Sequence, residues 1–132
     1  MKKEVVLTDK VPAPSGPYSQ AIRVGDLVYT AGTLGINPAT HVLAGPDIVS
    51  QTRQALTNLK AVLEEAGSCL DCAVKVTVYL ADIKDWPTMN PIYAEFFHDN
   101  PPARSAFQVG ALPREARVEI EIVAVVCDHC SK

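Results

Sequence analysis

From Asp47 onward the chain places a core-type residue at every third or fourth position. Ile48, Thr52, Ala55, Leu56, Leu59, Val62, Leu63 and Ala66 form one stripe on a helical wheel. That spacing predicts an amphipathic helix over 47–66, capped by Asp47 and stopped by Gly67 in a left-handed conformation. Beyond Gly67 the period changes to two. Val74, Val76, Val78 and Leu80 alternate with Lys75, Thr77 and Tyr79, which predicts a strand over 73–80. A second helix is expected over 91–98, with Ile92, Tyr93, Phe96 and Phe97 turned inward and 85–90 as its lead-in. Pro91 then belongs in the first turn, and any helical turn before it should be kinked or separate.

The rest of the chain reads as strands and breakers. Residues 4–7 make a short edge strand, and 20–24 and 27–31 form a hairpin around Gly25-Asp26. The prolines of 12–17 force irregular backbone, and Asn37-Pro38 with Gly45-Pro46 marks 35–46 as a loop. The last two strands are 105–109 and 117–126. In the final one, Val118, Ile120, Ile122 and Ala124 face the helices, while Glu119, Glu121, Val123 and Val125 face away.

This order predicts an α+β fold, with both helices on one face of a mixed sheet. The final strand should pair antiparallel with 73–80, because both are long and apolar on the same face. Val123, Val125, Tyr79 and Thr77 leave the other face too apolar for a solvated surface, so a second subunit is expected to cover it.

At 132 residues the chain fits a single domain, 1–132, with a short tail from about 127. Hydrophobic residues make up 48% and charged ones 20%, the balance of a globular protein. The net charge of -3 and a longest basic run of Lys2-Lys3 disfavour nucleic acid as a partner. Residues 1–7 lack the apolar core of a signal peptide, and no apolar run is long enough to span a membrane. The expected address is cytoplasmic, or the mitochondrial matrix if the source is eukaryotic.

Cys69-Leu-Asp-Cys72 and Cys127-Asp-His-Cys130 form two C-x-x-C pairs. Three states are open to them: ordinary reduced thiols, a disulfide or redox pair, and a tetrahedral metal site. The favoured reading is reduced thiols. Pairing of the two long strands would bring Cys72 near Cys127 in any case.

Candidate chemistry centres on Arg104. It opens a strand after Pro101-Pro102-Ala103, and its nearest acidic residue in sequence is Asp99. A guanidinium without a local partner can take a carboxylate or phosphate through two parallel hydrogen bonds, although the same position also suits an arginine exposed on a sheet edge. The histidines offer little: His41 lies in a loop, His98 ends a helix and His129 falls in the tail. No hydrolase triad and no phosphate-binding glycine loop is recognisable.

Six motifs in order carry a resemblance: Gly16-Pro-Tyr-Ser-Gln-Ala, Tyr29-Thr-Ala-Gly32, Gln54-Ala-Leu-Thr-Asn-Leu, Asn90-Pro-Ile-Tyr-Ala-Glu-Phe-Phe, Pro102-Ala-Arg-Ser and Val118-Glu-Ile-Glu. Together, from about Val5 to Val126, they resemble the reactive intermediate deaminase family (RidA, or YjgF-like). The resemblance implies a chorismate-mutase-like homotrimer with sites in the clefts between subunits, no cofactor and no catalytic metal. It implies that Arg104 binds the carboxylate of a small 2-imino acid and that Glu119 orients or activates the attacking water. Tyr18 lines the pocket, backbone groups at Gly32 and Ala106 touch substrate, and Asn90 supports the site from the second helix. Glu119 also suits an interface rim, Tyr18 a packing aromatic, and Asn90 an N-cap before Pro91.

Three positions depart from the family pattern. Ala31 stands where many members carry serine, Thr33 where many carry glutamine, and Ala106 where cysteine is common. The implied activity is hydrolysis of reactive enamines and imines, such as 2-aminoacrylate through 2-iminopropanoate, to 2-keto acids and ammonia. Two other readings stand beside it: an endoribonuclease or translation inhibitor, and a non-enzymatic carboxylate-binding or chaperone-like trimer.

Overall fold

Asp47 starts the long helix as the sequence predicts, its Oδ2 accepting the Ser50 N–H at 2.9 Å. In the computed structural model, which describes residues 1–128 and Cys130, this helix, α1, spans Ile48–Glu65. It ends at Ala66, and Gly67 follows at φ +85°, where a side chain would be strained. The whole predicted stripe is buried, and Leu56, Leu59 and Leu63 are fully so. Burial of each such leucine stabilises the fold by about 1.5–3 kcal/mol.

The strands are β1 (Lys3–Val6), β2 (Ala21–Val24), β3 (Leu27–Thr30), β4 (Thr33–Leu34), β5 (Ala73–Leu80), β6 (Ala103–Gln108) and β7 (Val118–Val125). They form one mixed sheet in the order β1-β2-β3-β7-β5-β6, with β4 also pairing onto β7. The β2–β3 hairpin turns at Gly25-Asp26, with Gly25 at φ +57°. β5 and β7 are antiparallel as expected, from Leu80 opposite Val118 to Ala73 opposite Ala124. β5 and β6 are parallel, with Arg104 opposite Val76.

Val118, Ile120, Ile122 and Ala124 are buried under the helices together with Val76, Val78 and Leu80. Val74 departs from its expected face. A register shift between Ala73 and Lys75 breaks the alternation and leaves Val74 exposed.

α2 spans Trp86–Phe96, so the second helix begins before Pro91, not at it. The helix opens after a short 3-10 turn at Ile83–Asp85, and Pro87 lies in its first turn. Pro91 therefore sits inside the helix, near enough to its start that the missing N–H removes only one early bond. Ile92, Tyr93 and Phe97 are buried as expected, and Met89 joins them. The Asp85 carboxylate ion-pairs Arg117 at 2.7 Å, tying the start of α2 to the start of β7. Arg53 on α1 and Glu95 on α2 form a second link at 3.0 Å.

The 35–46 segment is a loop apart from one bridge between Ile36 and Leu43. Two buried amides from α1 hold the surrounding backbone. Gln51 accepts from Arg117 N–H at 2.8 Å and donates to the Gly45 carbonyl at 2.9 Å, while Asn58 donates to the Ile36 carbonyl at 2.8 Å. No helix among the described residues is long and apolar enough to cross a membrane. His129 lies outside the described residues.

Candidate active site

The site residues separate into two groups. The first surrounds a cavity of about 690 Å³ whose lining includes Tyr18, Ala31, Gly32, Thr33, Arg114 and Glu119. Gln20 fixes its N-terminal wall: its amide accepts from Thr8 N–H at 2.8 Å and donates to the carbonyls of Thr8 and Pro12 at 3.1 and 3.0 Å. This clamp gives the proline-rich segment a defined path without regular structure. Tyr18 is half exposed, and its hydroxyl accepts from Ser15 N–H at 3.2 Å.

Glu119 lies at the β4–β7 junction, opposite both Leu34 and Tyr79. Burial raises its pKa, and the neighbouring Glu121 charge raises it further. Glu121 in turn accepts from the Tyr79 hydroxyl at 2.6 Å, which with burial pushes that phenol to about 12. Gly32 closes on Glu119: a Cβ at position 32 would stand 2.9 Å from the Glu119 carboxyl carbon. Only glycine allows this approach. Of the departures, Thr33 turns its hydroxyl to the Ala31 carbonyl at 3.1 Å, and Ala31 donates its N–H to Gln20 at 2.9 Å.

The second group is built around Arg104. Its Nη1 donates to Asn90 Oδ1 at 2.7 Å, and its guanidinium carbon lies 4.6 Å from the Tyr93 ring centre and 5.2 Å from that of Trp86. Both rings come from α2, so the arginine rests on an aromatic platform that fixes its plane. Burial pushes the Tyr93 phenol to about 12, offset in part by the Arg104 charge. Among the described residues no carboxylate pairs with Arg104. Asn90 lies within α2 and is not its N-cap, so the capping reading is corrected; its amide positions Arg104. Ala106 lies two residues further along β6, opposite Val78.

The two groups do not meet within one chain. Arg104 pairs with Val76, whose side chain is buried toward the helices. Glu119 pairs with Tyr79, which alternates onto the opposite face. The cavity lining includes Tyr18, Ala31, Gly32 and Glu119, but not Arg104, Asn90 or Ala106. Sequence reasoning missed Arg114 and Gln20. Arg114 enters the cavity wall from a left-handed backbone conformation at φ 58° and donates to the His41 carbonyl at 3.0 Å. The Leu112-Pro113 turn was its only local signal.

The cysteines are not independent thiols. All four sulfurs lie within 4.8 Å of one another, and in this structure they are joined as Cys69–Cys130 and Cys72–Cys127. The reduced-thiol expectation is corrected, because antiparallel pairing of β5 with β7 brings both C-x-x-C segments to one end of the sheet.

A mixed sheet backed by two helices thus carries a glutamate-lined cavity and, apart from it, an arginine mounted on an aromatic platform. The family described as Endoribonuclease L-PSP matches residues 8–126, and the chain belongs to it, the same family as the reactive intermediate deaminases. A RutC family protein of Pyrococcus abyssi is 48% identical over 94% of this chain and 98% of its own length. The 2-iminobutanoate/2-iminopropanoate deaminase of Mus musculus is 46% identical over 93% of this chain and 91% of its own. The crystal structure of E. coli TdcF with bound serine superposes with a TM-score of 0.88 at 34% identity, covering 92% of this chain and 98% of that one.

Proposed function

We propose that this chain is an imine and enamine deaminase that hydrolyses 2-iminopropanoate, 2-iminobutanoate and related 2-imino acids to 2-keto acids and ammonia. The observation that carries the reading is Arg104, held by Asn90 and two aromatic rings yet unpaired with any carboxylate among the described residues. A fixed guanidinium of this kind binds a substrate carboxylate in one orientation. The deaminase name of the mouse relative and the serine bound to TdcF support a small amino-acid-like ligand.

In this reading the complete site lies in the cleft between two copies of a homotrimer, which the placement of Arg104 and Glu119 on opposite faces supports. One copy supplies Arg104, Asn90 and the Ala106 backbone. Its neighbour supplies Tyr18, Ala31, Gly32 and Glu119. Exposed apolar side chains on the sheet, including Tyr29 and Phe107, support such a cover.

The substrate brings its own electrophile, a protonated imine carbon. Glu119 as carboxylate takes a proton from water while the oxygen bonds to that carbon, and the C=N electron pair moves to nitrogen. The same carboxyl then returns the proton to nitrogen. The C–N bond breaks, ammonia leaves with the bonding pair, and the carbinol oxygen passes its proton to the again-ionised Glu119 carboxylate, which releases it to ammonia or solvent, to give the keto acid. A raised Glu119 pKa suits this double role. The physiological consequence would be removal of 2-aminoacrylate before it damages pyridoxal-phosphate enzymes.

The test is release of ammonia and keto acid from enzymatically generated imines, with the parent and with Arg104→Ala. Loss of turnover in the variant is expected. Unchanged imine decay in the presence of the parent would rule the activity out.

A further inference from the structure

The four cysteines stand outside the deaminase machinery, yet their arrangement is as specific as that of the site. Cys69 and Cys72 flank a single 3-10 turn at Leu70–Cys72, closed by Cys72 N–H donating to the Cys69 carbonyl at 3.0 Å. Cys127 and Cys130 follow β7, and Cys127 N–H is anchored on the Gly67 carbonyl at 3.2 Å. Each C-x-x-C segment thus turns two sulfurs toward the other segment. Cys69 and Cys72 are buried, and Cys127 and Cys130 are half-buried.

The distances between unbonded sulfurs are informative. Cys69 lies 3.8 Å from Cys72 and 3.8 Å from Cys127, and Cys72 lies 3.9 Å from Cys130. A tetrahedron with metal–sulfur bonds of about 2.3 Å has edges of about 3.8 Å. Three of its six edges are therefore already in place. Cys127 and Cys130, now 2.9 Å apart, and the two bonded pairs have to separate to complete it.

Crosslinking alone does not account for this convergence. The two disulfides span 61 and 55 residues between the same two segments. Once one has closed, the second joins residues already held together and adds little constraint on the unfolded chain. A metal, by contrast, requires all four sulfurs at one point.

We propose that Cys69, Cys72, Cys127 and Cys130 in their reduced form bind one zinc ion as a tetrahedral tetrathiolate that fastens the end of β7 to the start of β5. Four thiolates select a soft tetrahedral metal over magnesium or calcium. The disulfide pairing and the zinc site are alternative states of the same sulfurs. Each disulfide takes two electrons and two protons from a thiol reductant to give two thiols, and zinc displaces the four thiol protons on binding. The centre is structural: it lies where β7 ends, whereas Glu119 lies where β7 begins.

The experiment uses the full chain, purified under reducing conditions, with four titratable thiols confirmed before metal is added. Elemental analysis of the protein, or of the reduced protein after zinc loading and desalting, should give about one zinc per chain. Cobalt(II) in place of zinc should produce the absorption bands of a tetrahedral thiolate complex, bleached by added zinc. Cys69→Ser with Cys130→Ser should lower zinc affinity at least about 100-fold. Iron in place of zinc, no metal retained by the fully reduced parent, or octahedral cobalt spectra would each overturn the assignment. The parent measurements decide the matter even if the variant does not fold.

Discussion

Arg104 and Glu119 lie on opposite faces of one sheet. The first is aligned with the buried Val76, and the second with the outward-facing Tyr79. The proposed chemistry needs both at one substrate, which a single chain cannot arrange, so assembly and turnover should be inseparable. Light scattering should give a trimer at micromolar concentration, and a monomer would remove the composite site. Mixing unfolded Arg104→Ala and Glu119→Gln chains and refolding them together should restore about a quarter of parental turnover, since each mixed trimer regains one intact cleft. Turnover no higher than that of the separate variants would show that the two residues do not meet between copies.

Carboxylate binding should depend on the fork of Arg104 and not on its charge alone. Pyruvate or benzoate should bind the parent, bind Arg104→Lys about 10-fold more weakly and bind Arg104→Ala weaker still, as expected for losing one or both charge-assisted bonds. Isothermal calorimetry checks this, and equal affinity in the lysine variant would contradict the two-bond geometry. Asn90→Ala should lower affinity less, because it frees the guanidinium without removing it.

The pH profile should report Glu119. Burial and the Glu121 charge hold its pKa above the ordinary carboxylate range, so the proton stays on to a higher pH than usual. Since the proposed water activation needs the carboxylate, turnover should fall on acidification earlier than for an unperturbed glutamate. Glu121→Gln removes one of the two causes and should move that acid limb to lower pH. The sign for stability is opposite. A carboxyl with a raised native pKa favours the fold when protonated and ceases to do so as pH rises through that value. A limb that stays in place in Glu121→Gln, followed by stopped-flow imine decay, would remove Glu119 from the rate-determining protonation.

Gly32→Ala should cut kcat while leaving the proposed trimer intact. The added Cβ would meet the Glu119 carboxyl carbon at 2.9 Å, closer than real side-chain contacts allow, so the glutamate must move. A shift of about 1 Å at a reacting group can cost on the order of 100-fold in rate. Parental kcat in a folded alanine variant would place Glu119 outside the reaction.

Gln51→Ala should destabilise the fold by about 2–4 kcal/mol, because it leaves the Arg117 N–H and Gly45 carbonyl without their buried partner. Urea denaturation measures this directly, and a change below about 0.5 kcal/mol would mean that water replaces the amide.

Much of this fold is legible from periodicity, because burial on one face leaves a regular trace. The α1 stripe, its Asp47 cap and the alternation of β7 emerge residue for residue. The start of α2 does not, because Pro91 is a strong local signal for a helix start. Burial of Met89 and the Asp85–Arg117 ion pair sustain the helix ahead of it. Val74 is misplaced because a bulge leaves no mark in hydrophobicity. Of the candidate site, Arg104 stands out by its lack of a local acidic partner, whereas Glu119, Tyr18, Gly32, Ala106 and Asn90 are singled out through the motifs. Gln20 and Arg114 act through irregular backbone, where no period exists to read.

In the sheet order, β7 is the strand that joins β1-β2-β3 to β5-β6, yet it comes last in the chain. Until it is synthesised, β3 and β5 each present an unpaired edge, and α1 has only a fragment of sheet to cover. The domain should therefore fold late on the ribosome, after long-range closure and not by local accretion, with its edges vulnerable to wrong pairing in the interval. A chain interrupted before Val118 would lose the strand on which the remaining sheet is hung, even though it retained both helices.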